Sequence, residues 1–205
     1  MKQPKPVTQD TRIERTKRKI LDAAKDVFLA NGFKEATVTL IAKKADIGYG
    51  TVYSHFPSGK DEVLLHIMEE VMNDFYKVTL REYSPNSKEE GYKTTLQNAT
   101  DFLSFAIKYR KQLVVFHEAI GLSALIRTEW EDIVERLIDR VAKNVITVNE
   151  KGLIRDENYD PTIVAGSLIY PAEKFLWKLA LEKTDQDYRD IAENIVGIYI
   201  NGLFK

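Results

Sequence analysis

A chain of 205 residues with 30 basic and 31 acidic side chains, 44% hydrophobic content and no cysteine has neither a disulfide framework nor a thiolate metal site. No apolar stretch reaches the roughly 18 residues of a membrane span, and residues 1–11 lack the apolar core of a signal peptide, so we expect a short flexible arm there and a cytoplasmic protein without membrane partners. The net charge of −1 hides an asymmetry: residues 1–60 carry twelve Lys/Arg and six Asp/Glu (+6), and the remainder sums to −7, as expected of a chain that meets a polyanion with one end.

Helical spacing runs through nearly the whole chain. Ile20, Ala24, Val27 and Phe28 share one face of a first helix, which Asn31-Gly32 ends because glycine accepts a left-handed conformation. Thr37 is placed to cap the next helix through its hydroxyl. The run from Thr37 to Phe56 reads as two short helices joined by a tight turn at Ala45-Asp46-Ile47-Gly48. Ile41, Ala42, Ala45, Ile47 and Val52 anchor the pair. The second helix otherwise presents Tyr49, Gly50, Thr51, Tyr53, Ser54 and His55, a face of hydroxyls, an imidazole and small residues suited to a DNA groove. Thr37 and Thr39 offer hydroxyls and amides to phosphates, and Lys60 adds a point charge.

A long helix follows from about Gly59 to Arg81, with Leu64, Ile67, Met68, Val71, Phe75 and Val78 as its stripe, and Ser84-Pro85-Asn86 breaks it. Further stripes run through Tyr92–Ala106 and Trp130–Val145. Lys151-Gly152 ends the second of these, and Asp160-Pro161 opens a helix with Asp as cap and Pro at the first position. Tyr188, Ile191, Ile195, Ile198 and Tyr199 mark the last. No alternating run argues for a strand, so the fold class is all-α: a three-helix helix-turn-helix domain (12–58) and a larger helical domain (59–205).

The residues Ile20-Leu-Asp-Ala-Ala24, Phe28, Gly32-Phe33, Thr37-Val38, Ile41-Ala42, Ala45, Ile47, Gly50-Thr-Val-Tyr53, His55-Phe56 and Lys60 resemble the TetR family of transcriptional regulators. The resemblance covers about residues 12–65. It departs at Asp46, where the turn commonly carries Gly, and at Gly48, where Ser or Thr commonly caps the recognition helix; Gly48 keeps only backbone for contact with DNA. The resemblance implies an operator-binding homodimer, most simply a repressor, whose second domain binds a small-molecule effector and dimerises through its last two long helices. The alternative is a constitutive DNA-binding dimer without an effector. No nucleophile–base pair, phosphate loop, metal set or cofactor motif points to an enzyme.

The segment 163–181 is apolar on nearly all sides, with Ser167, Lys174 and Lys178 as a narrow solvent stripe. Leu168, Ala172, Phe175, Leu176 and Leu179, with Ile195, Ile198 and Tyr199 of the last helix, are the expected dimer face. Glu173 sits in the apolar arc between Tyr170 and Trp177 and needs a partner. A core salt bridge, a bond across the dimer and a polar anchor in a ligand pocket are all open. Pro171 removes a backbone bond and is placed to kink the helix and open a cavity. The aromatic candidates for a lipophilic effector are Phe102, Phe105, Phe116, His117 and Trp130, together with Tyr170, Glu173 and Trp177. The His117-Glu118 pair lacks a third ligand at helical spacing, so no metal is expected.

Overall fold

The computed structural model describes residues 9–79 and 81–205, with the side chains of residues 9–11, 74, 75, 78 and 79 left out. Among them nine helices follow in chain order: α1 Gln9–Glu35, α2 Val38–Ala45, α3 Tyr49–His55, α4 Lys60–Thr79, α5 Lys88–Lys108, α6 Arg110–Leu122, α7 Ala124–Glu150, α8 Pro161–Ala180 and α9 Tyr188–Leu203. One bridge, Ile154 to Phe204, is the sole strand-like pairing among the described residues. The expected arm is shorter than read: residues 9–11 already belong to α1, and residues 1–8 lie outside the described residues. Phe75 and Val78 of the long stripe likewise fall outside the described side chains.

Local chemistry sets several boundaries. Gly32 interrupts α1 at φ 73°, ψ 178°, a region essentially confined to glycine. The hydroxyls of Thr37, Ser87 and Ser123 and the carboxylates of Asp160 and Asp187 accept bonds from first-turn amides of α2, α5, α7, α8 and α9. Pro161 stands at the start of α8, where its missing N–H costs nothing. Lys151 clamps the α4–α5 connection, its Nζ donating to the carbonyls of Ser84 and Pro85, the Ser84 hydroxyl and Asn86 Oδ1 at 2.8–3.2 Å.

The core crosses the expected domain boundary without a break. Ile20, Phe28, Ile41, Val52 and Phe56 belong to the same buried cluster as Leu64, Met68, Phe116, Ile126 and Leu176. Helix α6 packs on α1 as well as on α7 and α8, so it joins the N-terminal helices to the body. In the body, α5 lies against α8 and α9, and α8 against α7 and α9. A second cluster, with Val145, Val148, Leu168, Val196, Tyr199, Leu203 and Phe204, closes the far end.

Candidate functional site

Helices α2 and α3 form the expected helix-turn-helix. Val38, Ile41, Ala42 and Ala45 bury one side of α2, and α3 is held by Val52 alone, which is fully buried. The turn between them explains Asp46: it takes the left-handed conformation, φ 50° and ψ 56°, and its N–H donates to the carbonyls at the end of α2. Asp is among the few non-glycine residues that accept this geometry, because its short polar side chain bonds locally. Gly48 is the N-cap of α3 and supplies no side-chain cap.

A single α3 anchor leaves the rest of that helix outward. Tyr49, Gly50, Tyr53 and Ser54 are exposed, and Thr51 and His55 are half-buried. Thr37 and Thr39 stand exposed at the start of α2. The Tyr49 hydroxyl donates to that of Tyr53 at 3.4 Å and the rings lie 5.1 Å apart. Ser54 donates to Gly50 O at 2.9 Å, so its proton must turn to reach a phosphate. A Cβ at Gly50 would meet nothing within 4 Å, so the space over that residue is open to an approaching backbone or base.

Lys60 lies away from the expected phosphate role. Its Nζ donates to the carbonyls of Phe33, Lys34 and Ala36 at 2.7, 3.3 and 3.0 Å and sits 4.4 Å from the Phe33 ring centroid. All three ammonium donors therefore serve the end of α1, where carbonyls lack helical partners. Glu118 of α6 completes the same junction from the other side: its carboxylate accepts from the N–H of Phe33 at 2.7 Å and of Lys34 at 3.4 Å. Gly32 makes room for it, since a Cβ there would stand 2.7 Å from Glu118 Oε2. Nearby, the Ser123 hydroxyl caps α7 and donates to Asp61 of α4. The C-terminal end of α6 is thus tied to α1 by Glu118 and to the start of α4 by Ser123.

The expected pocket residues do not meet in one cavity. Glu173 Oε1 accepts from Trp130 Nε1 at 2.8 Å and from Trp177 Nε1 at 3.0 Å, and the two indoles lie 4.7 Å apart. Its partners are therefore two neutral donors of the same chain, an arrangement outside the three considered from sequence. His117 is exposed and turns edge-on to Trp177; partial burial, with Lys183 and Lys174 nearby, lowers its pKa. Phe105 and Trp130 border a small void, Phe116 is buried beside a separate cleft between α1, α4 and α6, and Tyr170 is 53% exposed on the outer side of α8. Pro171 borders an outer groove with Ile163 and Tyr170, so any opening it creates faces outward.

A further cavity lies between α5, α7, α8 and α9, with an enclosed volume of about 100 Å³. Of the expected pocket residues only Phe102 lines it. Leu168, Ala172 and Tyr199, assigned to the dimer face, also line it. That face is turned inward: Leu168, Ala172, Leu176, Leu179 and Tyr199 are buried in the chain's own core, and Phe175 and Ile195 are half-buried. The wide apolar arc expected to meet a partner is covered instead by α5 and α7 of the same chain. Ile198 is outward at 78% exposure, and Ile163 at 75% and Tyr170 are likewise exposed on α8. The cavity residues Arg81, Tyr83 and Arg140 were missed. One signal was legible: Leu137, Arg140, Val141 and Asn144 fall at i, i+3, i+4 and i+7, a helical face on which polar groups interrupt apolar ones.

Residues 20–67 match the family model of bacterial regulatory proteins, tetR family. Among curated proteins, the chain is 47% identical over 55 residues to the HTH-type transcriptional regulator SrpR of Pseudomonas putida, covering 27% of this chain and 25% of that one. It is 38% identical over 56 residues to the fatty acid metabolism regulator protein of Bacillus subtilis (strain 168), covering 27% and 28%. The aligned part thus spans only about a quarter of the length of these two relatives. Among solved structures, NalD, the secondary repressor of the MexAB-OprM multidrug efflux pump in Pseudomonas aeruginosa, superposes with a TM-score of 0.72 at 18% identity over 97% of this chain and 99% of that one. SmeT of Stenotrophomonas maltophilia, in complex with triclosan, gives 0.70 at 21% identity over 93% and 92%. At these identities the structural likeness shows a shared fold.

Proposed function

We propose that this chain, whose N-terminal domain belongs to the tetR family of bacterial regulatory proteins, is a cytoplasmic transcriptional repressor that binds a palindromic operator as a homodimer and is released by a small-molecule effector. The observation that carries DNA binding is α3 itself: one buried anchor, Val52, and an outward face of Tyr49, Gly50, Tyr53 and Ser54. Two copies of α3 would enter successive major grooves about 34–36 Å apart. The exposed Ile163, Tyr170 and Ile198 on α8 and α9 supply the apolar surface for a two-fold dimer. That the structural relative SmeT forms a complex with triclosan supports a small-molecule effector, and we assign it to the cavity between α5, α7, α8 and α9. An effector acts by binding one arrangement of the body better than another, and DNA weakens effector binding by the same factor. Helix α6 carries the shift, because Glu118 and Ser123 tie it to α1 and α4.

The test begins with selection of bound sequences from random duplexes by the full chain, followed by fluorescence anisotropy. Tyr49→Ala and Thr51→Ala should each lower affinity for the selected site about tenfold or more while leaving random DNA binding unchanged, since base contacts carry ~1–3 kcal/mol of discrimination. Wild-type preference in both variants would remove α3 as the reader. Ile198→Glu combined with Tyr170→Glu should give a folded monomer by sedimentation. A dimer surviving both would move the interface elsewhere.

A further inference from the structure

The cleft beside Phe116 lies where the DNA-facing helices meet the body. Its enclosed volume is about 260 Å³, and it shares no lining residue with the cavity between α5, α7, α8 and α9. Phe28 and Leu29 of α1 form one wall, Leu64, Ile67 and Val71 of α4 a second, and Val115 and Phe116 of α6 a third. The two charged residues of the lining, Lys25 and Glu70, are paired with each other. Glu70 also accepts from Arg18 at 3.3 Å through its second oxygen, and Lys25 lies 4.0 Å from Asp22, so both charges are offset across the α1–α4 contact. Gln112 differs. It stands one turn before Val115 and Phe116 on α6 and is half-buried, and its amide has no hydrogen-bond partner among the described residues.

We infer that this cleft is a second small-molecule site and takes a compact, uncharged arene with one hydrogen-bonding group, the ring against Phe28, Leu64 and Phe116 and the polar group on the Gln112 amide. The inference is independent of the effector reading, which concerns the other cavity. The volume exceeds the ~150 Å³ of an apolar void that holds benzene and falls short of the ~300 Å³ at which drug-sized sites begin, so it selects a ligand of one or two rings. The rings of Phe28, Tyr109 and Phe116 in the lining favour an aromatic partner. A charged ligand would enter unpaired or would have to break the Lys25–Glu70 contact, and either is costly in an apolar site. A hydroxyl suits Gln112, whose amide both donates and accepts. The same occupant touches α1 of the DNA-facing end and α6 of the body, because the walls come from both sides of the junction.

The full-length chain is titrated calorimetrically at neutral pH with 2-naphthol, 2-naphthoate and 2-naphthylmethylamine, which are neutral, anionic and cationic there. Leu29→Trp and Val71→Phe add bulk to two walls of the cleft, Gln112→Leu removes the amide, and Ala99→Phe adds bulk to the other cavity. Leu29, Val71, Gln112 and Ala99 are all partly exposed, and a melting curve confirms that each variant is folded. 2-Naphthol should bind about tenfold or more tightly than either ion. Leu29→Trp and Val71→Phe should each lower its affinity about tenfold or more, Gln112→Leu about fivefold, and Ala99→Phe should leave it unchanged. Equal or tighter binding of either ion overturns the uncharged class. Unchanged affinity in both Leu29→Trp and Val71→Phe, or a tenfold loss in Ala99→Phe, places the arene outside the cleft and overturns the inference. Absence of 2-naphthol binding up to about 1 mM overturns it as well, while the effector reading of the other cavity stands.

Discussion

At the DNA-facing end, the candidate contact residues all fall between Thr37 and Lys60, and three local features arrange them: the Thr37 cap, the left-handed Asp46 and the buried Val52. In the body, the cavity is walled by residues from 81 to 199, brought together from the α4–α5 connection and four helices. The first site is a property of a short stretch of chain folded on one anchor, and it points outward. The second exists only because α5, α7, α8 and α9 pack with a gap between them. The contrast teaches that sequence distance sets what a motif can reveal, and that a side chain's direction in the body depends on which neighbour covers it.

The largest effect should come from the junction where the two regions meet. Gly32→Ala places a Cβ in a conformation essentially reserved for glycine and against the Glu118 carboxylate. It should cost about 3 kcal/mol in urea unfolding, from backbone strain and the lost amide–carboxylate bond. A loss under about 0.5 kcal/mol would mean that the α1–α6 contact is not a structural tie. Next, Glu173→Ala leaves the indole N–H groups of Trp130 and Trp177 without their acceptor and should cost roughly 1–3 kcal/mol, whereas Glu173→Gln keeps an acceptor and should cost much less. Equal losses in the two variants would point to the negative charge rather than the hydrogen bonds.

Gly50→Ala sharpens the contrast because stability and function should move in opposite directions. Nothing stands near the added Cβ, and Ala is the better helix former, so stability should rise by about 0.5–1 kcal/mol while operator affinity falls. Unchanged affinity would show that the open space over Gly50 is not used by DNA. The smallest effect concerns pH. The His117 pKa is lowered in the folded chain, chiefly by burial, so the unfolded chain binds the proton more readily. Stability should therefore be full above the unfolded value of about 6.5 and decline slightly as pH falls below it through the folded value. His117→Gln should flatten that slope in melting temperature against pH.

Much of the fold was legible in residue patterns. The helical stripes, the break at Ser84-Pro85-Asn86 and the Asp160-Pro161 start of α8 match local structure, because caps, proline and glycine act within a few residues of themselves, while Asn31-Gly32, expected to end α1, marks a kink in a helix that runs on to Glu35. The α3 face was legible for the same reason, down to Asp46, whose unusual place in the turn is resolved by its left-handed backbone. Other assignments were beyond pattern reading. A helical wheel gives the apolar arc of α8 but not whether a partner or α5 and α7 cover it, so Leu168, Ala172 and Tyr199 went to the wrong surface. Lys60 reads as a charge for phosphate until its distance to three carbonyls of α1 is known, and Glu118 is one of 31 acidic residues until it meets Phe33, 85 positions away.

The sequence by itself determined the all-α class, the helix-turn-helix and its outward face, since these depend on periodicity and on bonds spanning a few residues. Only the tertiary structure decided where Glu173 finds its donors, which side of α8 stays exposed, and that two arginines share a cavity with Phe102. Those outcomes follow from the packing of distant helices, where one-residue differences in register and tilt choose which groups meet.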